Sequence, residues 1–121
     1  MDSDLLVHEL ERDLESLGLS TTDVDITIAK KFSKTYYGLY YPVTEDRKAL
    51  IRLYPYMTSN NDIMYPYSHI LDTAIHEMCH HLQYSDDNYI RVKGVVHNQE
   101  FWDLYNYYIA IAMEKGYLEV K

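Results

Sequence analysis

Apolar residues recur every three to four positions at the start of the chain, at Leu6, Leu10, Leu14 and Leu17, with polar residues between them. That spacing predicts an amphipathic helix over residues 3 to 17, with Ser3 able to cap it and Gly18 able to stop it. From Val24 the period becomes two: Val24, Ile26 and Ile28 alternate with Asp25, Thr27 and Ala29, as on a half-buried strand. Tyr36 to Tyr41 and Lys48 to Tyr54 predict a second and a third strand, the third with Ala49, Ile51 and Leu53 on one face. Pro42 to Asp46 is turn material, and Pro55 closes the third strand. The short connections predict an antiparallel meander. Residues 56 to 67 form an irregular bridge with room for a helical turn.

The period then returns to 3.6. Ile70, Leu71, Ala74, Ile75, Met78, Cys79 and Leu82 predict a second helix. Ser68 is a candidate cap, Pro66 sits just before or within the first turn, and Ser85-Asp86-Asp87-Asn88 ends the pattern. Ile90, Val92, Val95 and Val96 around Lys93-Gly94 suggest a short extended excursion. Phe101, Leu104, Tyr105, Tyr108, Ile109, Ala112 and Met113 mark a final helix ending at Gly116, and residues 117 to 120 could add a terminal strand. The whole reads as one α+β domain spanning residues 1–121: an N-terminal helix, a small antiparallel three-stranded sheet and two further helices. A chain of 121 residues supports one core and not two.

Composition narrows the function classes. The formal net charge is −8, which leaves no electrostatic footprint for nucleic acid or an anionic membrane. One cysteine excludes an internal disulfide and a cysteine-based zinc ribbon, and it suits a reducing compartment. The acidic opening Met1-Asp2-Ser3-Asp4 does not resemble a signal peptide, and no stretch approaches a membrane span. The expectation is a soluble cytoplasmic protein. Its 14 tyrosines fit half-buried surfaces or a peptide-contacting face.

The chemistry sits in the second helix. His76-Glu77-Met78-Cys79-His80 spells H-E-x-x-H, which places two imidazoles one turn apart on one face. A shuffled chain of this composition would contain the motif about 2% of the time, so its surroundings have to decide. Taking His76 as zero and about 100° per residue, Leu71, Ile75, Met78 and Leu82 fall near 200–260°, while His80 and Glu77 fall near 40° and 100°. One side of the helix is therefore a core face and the other can face a cleft. His81 is turned about 140° from His76 and reads as a surface or supporting residue. His69 lies about 10.5 Å along the axis from His76, too far to share an ion. His8 belongs to an unrelated segment, and Cys79 reads as core.

A catalytic zinc ion takes three protein ligands. The candidates for the third, downstream of His80, are His97 and Glu100. The segment His97-Asn98-Gln99-Glu100-Phe101-Trp102 precedes and opens the final helix. Together with H-E-x-x-H, it resembles the SprT-like branch of the zincin metallopeptidases, whose third histidine stands in an H-G-x-x-F/W-type segment. Gly38 and Leu50-Ile51-Arg52-Leu53 look like that family's strands ahead of the metal helix, so the resemblance covers roughly residues 36 to 105. Asn98 stands where the family often has glycine, and asparagine is the next residue best able to take a left-handed backbone. A cysteine-rich module like that of many relatives is not found in this sequence.

The resemblance implies one Zn²⁺ held by His76, His80 and His97, with Glu77 as the catalytic base. It implies peptide-bond hydrolysis by Glu77-assisted attack of a zinc-bound water on a protein or peptide substrate. An extended substrate would pair with a sheet edge, for which residues 47 to 54 are the candidate. The alternative is a catalytically inactive or structural zinc-binding module that holds a partner protein.

Overall fold

The computed structural model describes residues 2–60, 63–88 and 96–118. It is an α+β arrangement of helix α1 (Ser3–Ser16), strands β1 (Val24–Ile28), β2 (Gly38–Tyr41) and β3 (Ala49–Leu53), and helices α2 (Tyr67–Ser85) and α3 (Gln99–Glu114). The leucine stripe of α1 is fully used: Leu6, Leu10 and Leu14 are buried, as is Leu17 just beyond the helix. The cap is Asp2 rather than Ser3, its carboxylate accepting from the Asp4 backbone N–H at 3.2 Å. Gly18 ends the segment at φ 91°, a left-handed conformation that other residues adopt with strain.

The sheet is mixed, in the order β1-β3-β2. β2 and β3 are antiparallel as expected, with Gly38 opposite Leu53 and Tyr41 opposite Leu50. β1 runs parallel to β3, with Val24 opposite Ala49 and Ile28 opposite Leu53. The antiparallel meander is thus corrected. The chain from 29 to 37 is long enough to carry β2 past the place beside β1, and β3 returns into the gap between them. Two consequences follow for the site. Residues 47 to 54 form the middle of the sheet and offer no free edge, and the free edges belong to β1 and β2. The alternation read in β3 survives the change, because Ala49, Ile51 and Leu53 are buried whichever neighbour they pair with.

Helices cover one face of this sheet, and α2 packs on β2 and β3 as well as on α3. Its Leu71, Ala74, Ile75, Met78 and Cys79 are all at 0% exposure, and Phe101 of α3 joins them in one cluster. α2 starts directly after Pro66 with no side-chain cap, so Ser68 lies inside the first turn. In the bridge before it, Tyr56 pairs with Met64 and no helical turn forms among the described residues. The excursion around Lys93-Gly94 lies outside the described residues except for Val96. Of the terminal strand, Tyr117 and Leu118 form bends and the remainder lies outside. No helix among the described residues is long and apolar enough to cross a membrane.

Candidate metal centre

α2 delivers His76, Glu77 and His80, and the turn before α3 delivers His97. The Nε2 atoms of His76 and His97 lie 3.1 Å apart, and those of His80 and His97 also 3.1 Å. All three ligand atoms fall within 4.8 Å of one another. Glu100, the rival third ligand, is exposed on α3 and lines a separate groove with Leu82, Gln83 and Asp103.

The donor set fits a cation better than it fits itself. A ring nitrogen of a neutral imidazole carries one proton or one lone pair. His97 Nε2 can therefore serve one of its two close contacts well but not both. Tetrahedral ligands about 2.0–2.1 Å from zinc stand roughly 3.3 Å apart, close to these separations. Protonation is disfavoured as well: burial, followed by repulsion from the neighbouring imidazoles, pushes His76 and His80 down to about 4, and burial lowers His97. Three neutral imidazoles aimed at one point are suited to hold a divalent ion such as zinc.

Aromatic rings fix the imidazoles. Phe101, fully buried, stacks on His80 at 4.5 Å between ring centres and meets His76 edge-on at 4.9 Å and His97 at 4.8 Å. Trp102 flanks His97 at 5.4 Å. The two aromatics of the H-x-x-x-F-W segment are therefore the floor and side wall of the histidine cluster.

His97 owes its place to the cap of α3. The Asn98 carboxamide oxygen accepts from the Phe101 backbone N–H at 2.9 Å and from the buried Gln83 side chain of α2 at 3.2 Å. Asn98 is extended, at φ −85° and ψ −179°, so it stands in the glycine's place as a helix cap and not as a left-handed residue. An Asn directly before an apolar-periodic run is a legible capping signal; the bond from Gln83 is not.

Glu77 is 6% exposed, and burial pushes its carboxyl up to about 7. β2 passes very close to it. A Cβ on Gly38 would lie 2.8 Å from Thr73 Cγ2 and 3.3 Å from Glu77 Cγ, so only glycine lets the strand approach this part of α2. Gly38 and Glu77 then share a cleft of about 340 Å³ with Tyr36, Tyr37, His69, Asp72 and His76. The wheel expectation of a helix open on its metal side needs adjusting: β2 covers Glu77, Phe101 covers His80, and both are buried.

His81 is neither a ligand nor a surface residue. It is buried, with Nδ1 2.8 Å from the Tyr40 hydroxyl and Nε2 3.0 Å from the Asp23 carboxylate. The bond from His81 holds the Asp23 carboxyl below its ordinary range. The Tyr105 hydroxyl donates to Asp72, and the Tyr67 hydroxyl donates to buried Asp13 at 2.6 Å. Long-range polar pairs of this kind have no spacing signature. His69, as expected, stays out of the cluster and stacks on Tyr65 at 4.2 Å. His8 is exposed and Cys79 is fully buried.

Comparison with protein-family models, with curated proteins and with solved structures gives no match. The functional reading therefore stands on the site: a His76-Glu77-x-x-His80 pair completed by a distant His97, in the arrangement typical of zinc metallopeptidase active sites.

Proposed function

We propose that this chain is a zinc-dependent metallopeptidase of the SprT-like kind, with His76, His80 and His97 as metal ligands and Glu77 as the catalytic base. One observation carries the reading: imidazole nitrogens from two separate segments converge within ligand distance, beside a buried carboxyl at the wall of an open cleft. The order of the motifs supports the family, with H-E-x-x-H on α2 followed by His97, Phe101 and Trp102 at the opening of α3. His76, His80 and His97 would hold a divalent cation, which would supply Lewis acidity for activating water near neutral pH and polarising a carbonyl.

The chain's own residues do the rest. Glu77 takes a proton from the attacking water and delivers it to the leaving amine. Phe101 and Trp102 keep the imidazoles oriented, and Phe101 covers His80. β2 replaces the earlier edge candidate: it is an outer strand, and its first residue, Gly38, lines the cleft. An extended protein or peptide substrate pairs along β2 and presents one amide to Glu77. The single buried thiol suits a reducing, cytoplasmic setting.

The test uses zinc-loaded protein and casein or a mixed peptide library. Wild type cleaves, whereas Glu77→Gln keeps its zinc and does not. Full zinc stoichiometry in His97→Ala refutes the third ligand. Zinc-loaded wild type that cleaves nothing refutes the peptidase and leaves the zinc-binding interaction module.

A further inference from the structure

We propose that the cleft beside Glu77 is a subsite for a lysine or arginine side chain of the substrate, held between the rings of Tyr36 and Tyr37 and the carboxylate of Asp72. The inference rests on the peptidase reading for the word substrate, but its recognition chemistry stands on the cleft alone.

The shape comes first. His69, Asp72, Thr73 and His76 line one wall, and the spacing i, i+3, i+4, i+7 puts them on a single face of α2. That wall is about 10 Å long, the reach of roughly three residues of extended chain. The opposite wall is the segment from Thr35 to Gly38, which leads into the outer strand β2. A peptide lying along β2 would therefore drop one side chain into the cleft next to the amide offered to Glu77.

The lining then selects the side chain. Its acidic groups are Asp72 and Glu77, and among the described residues that line it there is no lysine or arginine. Tyr36 and Tyr37 are 45% and 55% exposed, so ring surface is open to a ligand. Ring faces attract a cation, and a carboxylate within reach adds charge pairing. Asp72 is pre-positioned because the Tyr105 hydroxyl donates to it, and a carboxylate keeps acceptor capacity beyond one such bond.

His69 does not oppose the cation. It is packed face-on against Tyr65 and edge-on against Tyr37 at 4.7 Å, and its burial favours the neutral form. An acidic side chain would meet the Asp72 carboxylate. An aliphatic one would cover the rings while leaving Asp72 without a counter-charge. A basic side chain alone satisfies both walls.

The experiment measures binding of fluorescein-labelled pentapeptides, Ala-Ala-Xaa-Ala-Ala, to zinc-loaded Glu77→Gln protein, with Xaa as lysine, arginine or norleucine. Lysine and arginine are expected to bind roughly tenfold tighter than norleucine. Asp72→Asn, whose amide oxygen can still accept from Tyr105, is expected to reduce that preference to about twofold or less, and Tyr37→Leu to weaken it severalfold. Equal binding of lysine and norleucine, or a preference unchanged by Asp72→Asn, overturns the proposal. Wild-type turnover of the same peptides separates the two claims. Charge-selective binding without any turnover supports the subsite and refutes the peptidase, whereas turnover without charge preference refutes the subsite and supports the peptidase.

Discussion

Replacing Glu77 by Gln should stabilise the metal-free protein, by an amount that grows as pH rises from about 4.5 to about 7. Burial pushes the carboxyl from 4.5 to about 7. Between those values the folded protein holds a proton that the unfolded chain has released. Stability therefore falls as pH rises through this window, and Gln, which mimics the neutral acid, escapes the loss. The interval is worth at most about 3 kcal/mol, and solvent at the mouth of the cleft brings the expectation to about 2 kcal/mol. The assay is urea unfolding in EDTA, followed by circular dichroism, on both proteins at pH 5 and pH 8. The histidines push the opposite way: His76 and His80, held down to about 4, cost stability as pH falls below their ordinary 6.5. Taking the difference between the two proteins removes most of that contribution. The gap in favour of Gln should widen by about 2 kcal/mol from pH 5 to pH 8, and added zinc should narrow it, because a cation favours the carboxylate. A gap that does not change with pH would refute the claim that Glu77 is held in a desolvated site.

Three further outcomes follow from the same geometry. Three ordinary imidazoles would lose about a thousandfold in zinc affinity between pH 7.5 and 5.5; with His76 and His80 near 4 the loss should be about tenfold or less, read by competition with a chromophoric chelator. Gly38→Ala should cost about 1–3 kcal/mol and lower turnover with zinc content intact, because its methyl meets Thr73 and Glu77. Adding Thr73→Ser removes the Cγ2 at 2.8 Å while keeping the hydroxyl that donates to the His69 carbonyl, and should recover part of both losses in urea unfolding and turnover. Asn98→Ala should cost about 1–2 kcal/mol and weaken zinc binding, since it frees both the α3 start and Gln83; unchanged zinc affinity by titration would separate the cap from the site.

The parts of this molecule with a short period were legible in its sequence. Leu6, Leu10 and Leu14, then Val24 and Ile26, then Ala49, Ile51 and Leu53 each name a buried face that the structure buries. The H-E-x-x-H spacing carried the site equally well, because a helix alone brings His76 and His80 together. Strand order was not legible, since the same alternation in β3 serves a central or an edge position. The alternation therefore admits residues 47 to 54 as an edge, whereas the outer strands are β1 and β2. The meeting of His97 with α2 rests on the family pattern and on a capping Asn, while the Gln83 bond that joins the two helices has no local signature. At Asn98 the side chain, and not a glycine-like backbone, is the relevant part.

What these long-range pairs share is α2. Tyr67 at its first residue is tied to Asp13 of α1, Asp72 to Tyr105 of α3, His81 to Tyr40 and Asp23 of the sheet, and Gln83 near its end to Asn98. The bonds leave the helix in different directions along its length, so none can be kept if the helix turns about its axis. The site needs such a restraint. Imidazole nitrogens stand about 6 Å from the axis, so a rotation of roughly 20° would move them about 2 Å, far more than a preorganised site tolerates. Directional bonds to buried or half-buried groups resist that rotation strongly, because each would leave a polar atom unsatisfied. The buried and half-buried polar residues His81, Gln83, Tyr67 and Asp72 accordingly position the candidate metal centre without belonging to its histidine cluster.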